Sequence, residues 1–136
     1  MSPAVLRLRV PADTASLAGH VRRVRAFLAD HNIDHALAHD IPLCVHECCA
    51  NAIVHSGSAA DIDVRVTVDE EAVTVLCADS GRGPDPGHCD PQRPPGLRHS
   101  NGRGLYLMAH LMDEFEIGVD HGTTVRMSKR LNGPPT

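Results

Sequence analysis

The stretch His46-Glu47-Cys48-Cys49-Ala50-Asn51-Ala52-Ile53-Val54-His55-Ser56 governs how the rest of the chain is read. Glu47, Asn51 and His55 recur four residues apart, so on a helix they share one slowly drifting polar stripe, with Cys48, Cys49, Ala52 and Ile53 on the packing side. The pattern predicts a helix over residues 40–55, with Pro42 tolerated in its first turn and Ser56-Gly57-Ser58 as its stop. A carboxylate and a carboxamide on one helix face can divide labour. The amide oxygen, with waters, can hold a hard cation such as Mg2+, while the carboxylate accepts a proton. The same stripe is also what a solvated helix face looks like, and both readings stand at this point.

Upstream, Leu6, Leu8 and Val10 alternate with Arg7 and Arg9, the pattern of a half-buried edge strand that stops at Pro11. Asp13 can cap the next element, an amphipathic helix over residues 14–31 in which Leu17, Val21, Val24 and Leu28 form the apolar face and Arg22, Arg23 and Arg25 the exposed one. Downstream, strands over residues 62–68 and 72–78 flank an Asp69-Glu70-Glu71 turn. Residues 80–104 then turn to Gly, Pro, His, Arg and Asp, and a loop of that length in a compact domain is a lid or disordered. A helix over residues 104–112 and two strands, over residues 114–119 and 123–129, close the chain. This element order predicts a two-layer α/β sandwich with helices on one face of a sheet.

The 136 residues fit one domain, and the core must be built from Val, Leu, Ile and Ala, because there is no Trp, one Tyr and only two Phe. A net charge of -4 argues against nucleic acid as the main ligand. No apolar run approaches a membrane span and the first residues lack a signal-peptide apolar segment, so the expectation is a cytoplasmic protein. Cys44, Cys48, Cys49, Cys77 and Cys89 invite a metal reading, but Cys44 and Cys48 lack a second ligand pair at zinc spacing, and the cysteines read instead as small core residues.

Two further segments can carry chemistry. Asp79-Ser80-Gly81-Arg82-Gly83 places a carboxylate at a strand exit, where it can accept a hydrogen bond from an exocyclic amine, beside glycines that let a flat base approach the backbone. Asn101-Gly102-Arg103-Gly104-Leu105 opens a helix whose free amides can bind an anion. Alone, each is also simply a Gly-rich turn. A Walker loop is absent, and a dinucleotide fingerprint fails because the segment follows a Pro-rich loop rather than a strand.

Together with Gly122-Thr123-Thr124, these three elements in this order resemble the N, G1 and G2 boxes and closing threonine strand of GHKL (Bergerat-fold) ATPases, and most nearly the bacterial anti-sigma factor serine kinases. The resemblance spans residues 6–131. It implies a mixed, mostly antiparallel sheet, ATP and Mg2+ as cofactors, and a specific assignment of roles. Glu47 would be the general base, Asn51 the Mg2+ ligand, and Asp79 the adenine-reading carboxylate. Gly81 and Gly83 would border the base, Gly102 and Gly104 with Arg103 and Leu105 the phosphates, and Thr123 or Thr124 would support adenine recognition. It further implies a sigma factor and an anti-sigma antagonist as partners, phosphorylation of the antagonist, and a homodimer. Residues 84–100 form a Pro-rich lid unlike that of better-known members, with Arg98, His99 and Arg103 as candidates for the terminal phosphate. The rival readings are a nucleotide-binding module without phosphoryl transfer and the catalytic part of a histidine kinase. The second is disfavoured because His20 in "AGHVRRVR" lacks a following acidic residue or Pro-Leu.

Overall fold

A computed structural model describes residues 2–55, 61–79, 100–119 and 122–131. The elements run β1 (Ala4–Val10), α1 (Leu17–Asp30), α2 (His35–His55), β2 (Ile62–Val68), β3 (Ala72–Asp79), α3 (Ser100–Leu111), β4 (Glu114–Val119) and β5 (Thr123–Arg130). The strands form a five-stranded sheet in the order β1-β2-β3-β5-β4, and every one of its pairings is antiparallel. Period-2 alternation explains how the helices come to lie on one face. In β2, Ile62, Val64, Val66 and Val68 are buried while Asp63 and Arg65 are exposed. The buried row continues through Leu8 and Val10 on β1, Val73, Val75 and Cys77 on β3, and Val125 and Met127 on β5. Leu17, Val21, Val24 and Leu28 of α1, Ile41, Cys44 and Val45 of α2, and Met108 of α3 complete one core. Many branched side chains do here what aromatics do elsewhere.

The turn between β2 and β3 is closed by Asp69, whose Oδ1 accepts from the backbone N–H groups of Glu71 (2.7 Å) and Ala72 (2.8 Å). The two long helices are joined by a Schellman ending. Asn32 adopts φ 58, its N–H donates to the Ala29 carbonyl, and the Ile33 N–H donates to the Leu28 carbonyl. Asp13 acts ahead of α1, accepting from the Ser16 N–H at 3.0 Å, although Ser16 itself holds the cap position.

The second helix begins earlier than the sequence pattern predicts, at His35 rather than Asp40, and Pro42 lies inside it. Asp34 is the reason: its Oδ1 accepts from the Ala36 N–H at 2.8 Å and its carbonyl accepts from the Ala38 N–H at 2.8 Å. Ile33, Leu37 and Ala38 pack on the core and hold this added turn. Asp34→Ala should therefore lower stability by about 0.5–2 kcal/mol in urea unfolding, whereas an effect no larger than that of an exposed surface substitution would remove Asp34 from the cap.

The third helix also starts earlier, at Ser100 rather than Gly104. Glycine is a poor helix former, so residues 100–104 look like loop in sequence. The packing of α3 on α2 outweighs that preference. The predicted lid otherwise falls outside the described residues, as do Gly81 and Gly83.

Candidate functional site

The site is assembled where the C-terminal half of α2, the exit of β3 and the entry of β5 converge. Cys77 of β3 neighbours Cys48 and Cys49 of α2, and all three are buried. Glu47 and Asn51 flank the two helix cysteines in sequence, and Asp79 lies two residues beyond Cys77 on the same sheet face.

Strand register supplies the next member. Asp79 is paired directly with Thr123, and Cys77 with Val125, so Asp79 and Thr123 share the helix-facing row. Thr123 is 7% exposed, and its Oγ1 is buried without a hydrogen-bond partner. Thr124 is exposed, opposite Ala78 on the other face of the sheet. Of the two threonines, only Thr123 can join Asp79. Thr124, on the opposite face, does not share that row.

Asn51 presents a second orphan: its Nδ2 is buried and unpartnered. Two buried polar groups without partners, on separate elements, are costly unless a polar ligand satisfies them. The carboxamide can turn its oxygen to a hard cation or its N–H2 to a phosphate oxygen. Glu47 is 30% exposed, so its carboxylate is accessible to solvent, and its Oε1 lies 3.9 Å from the Nδ1 of His46. The chemistry of this donor set fits Mg2+ and a nucleotide.

Gly102, Arg103, Gly104 and Leu105 lie in the first turns of α3 rather than ahead of it. The amides that lack intrahelical acceptors are then those of the first four residues, 100–103, so the free helix end lies nearer Ser100 than Gly104.

The buried cysteines are part of the support beneath the site. Burial, with the nearby Asp40 and Glu47 carboxylates, pushes the Cys44 thiol up to about 12 against a smaller opposing effect of Lys129. The Cys77 contact, followed by burial, raises Cys49 as well. Protonated thiols are poor metal ligands and poor nucleophiles. Elemental analysis of protein purified without added metal should find no stoichiometric zinc, and one zinc per chain lost in Cys44→Ser would overturn this.

Sequence comparison decides the family. Residues 10–129 match the histidine kinase-like ATPase domain. The chain belongs to that family. Within this ATPase family, its relatives include the serine-protein kinase RsbW of Bacillus licheniformis, 35% identical over 68% of this chain and 64% of the relative. The RsbW of Bacillus subtilis is 34% identical over 69% and 65% respectively. The matched segment thus spans 64–65% of these relatives, less than two thirds of their length. Among solved structures, the RsbU and RsbW domains of Rv1364c from Mycobacterium tuberculosis share its fold with a TM-score of 0.73 at 21% identity, covering 96% of this chain and 33% of that one. The SiaB-SiaC complex from Pseudomonas aeruginosa does so with a TM-score of 0.68 at 11% identity, covering 92% and 88%. Among the described residues, no helix of the ATPase domain is long and apolar enough to cross a membrane.

Proposed function

We propose that this chain binds ATP with Mg2+ and transfers the terminal phosphate to a serine or threonine of an anti-sigma antagonist protein, as part of a cytoplasmic switch that also holds a sigma factor. The observation that carries the reading is a pair of buried, unpartnered polar groups, Asn51 Nδ2 on α2 and Thr123 Oγ1 beside Asp79 on the sheet. Asp79 and Thr123 would bind the adenine edge. Gly81 and Gly83 would let the base approach the backbone, and the free amides of residues 100–103 at the start of α3, which include Gly102 and Arg103 and lead into Gly104 and Leu105, would receive the phosphates.

Mg2+, held through Asn51, would neutralise phosphate charge. Glu47, four residues before Asn51 on α2 and open to solvent, would accept the proton of the attacking hydroxyl. Positioning and charge neutralisation would supply most of the acceleration. The names of the RsbW relatives support serine as the acceptor. Affinity capture of partners, followed by labelled MgATP, tests the proposal directly. A labelled captured protein, with label on serine or threonine, is the expected result. Capture of a partner that never accepts label would leave a nucleotide-binding module in its place. Sedimentation of the purified chain tests the homodimer.

A further inference from the structure

We propose that the open face of the sheet docks an acidic segment of a partner protein at the cross-strand pair formed by Arg7 and Arg65. The two arginines are direct register partners on β1 and β2, and both are exposed. Like charges placed directly opposite on a sheet destabilise it, so the fold tolerates this pair at a cost. Neighbouring cations on the same face have local partners. Arg9 pairs with Asp63 at 3.5 Å, and Arg126 with Glu114 at 3.4 Å. Among the described residues, Arg7 and Arg65 have no acidic partner. A pair of uncompensated guanidinium groups in a chain of net charge -4 is a local feature, set against the sign of the whole molecule.

The surroundings define the occupant. Arg7 and Arg65 line a groove of about 450 Å³ together with Arg9, Asp63, Leu76 and Ala78. Leu76 is the register partner of Arg65 on β3 and gives the groove an apolar floor beside the charges. Arginine beside an apolar floor is the composition of a protein interface, and the fork of each guanidinium matches a carboxylate. A nucleic acid is the poorer fit, because Asp63 stands in the groove and the chain lacks a basic excess. This face lies on the side of the sheet away from the helices, so its occupation is independent of the nucleotide reading.

The test uses the full chain and a short fluorescein-labelled peptide of alternating glutamate and leucine, with its lysine–leucine counterpart and a DNA duplex as comparison probes. Wild type should bind the glutamate peptide with an affinity that falls as salt rises, and should bind neither comparison probe comparably. Arg7→Thr/Arg65→Thr should weaken peptide binding about tenfold, as expected for the loss of two exposed ion pairs. The same variant should melt at an unchanged or higher temperature, because a like-charge pair has been removed, and MgATP binding measured in parallel should not change. Failure of wild type to bind the glutamate peptide, equal binding by the double variant, or a lowered melting temperature would overturn the proposal. So would preference for the lysine peptide or the duplex, or a wild-type dimer that the double substitution dissociates, which would make a second copy the occupant. Absence of MgATP binding in both proteins would count against the nucleotide site alone, since the peptide readout does not depend on it.

Discussion

Glu47→Ala is expected to lower phosphoryl transfer to the captured partner by about 10²–10⁴-fold, the range typical of a lost general base, while MgATP and partner still bind. The expectation follows from the position of Glu47 on α2. It is half-buried with one oxygen near His46, and Asn51 lies one helical turn further on, so the two residues are close yet should fail differently. Asn51→Ala removes the proposed cation ligand and should depress nucleotide affinity and transfer together. Transfer is read with labelled ATP on the partner and affinity by calorimetry, each for both variants. If wild type binds MgATP and partner, transfers nothing, and is indistinguishable from Glu47→Ala, the kinase reading is lost and the binding module remains.

Asp79→Asn should weaken ATP by about 1.5–3 kcal/mol, the worth of a charge-assisted hydrogen bond, which is roughly tenfold to a hundredfold or more in Kd. The substitution preserves the shape of the side chain at the end of β3 and changes only what it can accept and donate. Preference for ATP over GTP should fade in parallel, because the carboxylate is the group proposed to read the exocyclic amine of adenine. Its register partner Thr123 keeps its place in the same row, so the fold should be unaffected. Calorimetry showing ATP affinity equal to that of wild type would remove Asp79 from the adenine site.

Much of this was legible from local pattern. Alternation of side chains marked β2 and β3 nearly to the residue, and the Asp69 turn was visible because a short acidic side chain can satisfy its own backbone two and three residues on. The Glu47 and Asn51 stripe was legible because a four-residue spacing has one geometric meaning on a helix. Helix starts were less so. Pro42 makes a start near Asp40 look natural although Asp34 caps the helix, and Gly102 and Gly104 mask the first turn of α3, because propensity is a weak force beside the burial of a helix face.

By itself, the sequence determined the order of the elements, the apolar faces and the residue types available for nucleotide chemistry, since these depend only on local period and side-chain chemistry. Which distant residues meet was decided by tertiary structure. The β3–β5 register set Thr123 rather than Thr124 beside Asp79, and a slip of one residue would have reversed that choice. Packing of α2 on the sheet brought Cys48 and Cys49 beside Cys77, and strand pairing placed Arg7 against Arg65 on the open face. Such pairings join segments far apart along the chain, and no local period encodes them.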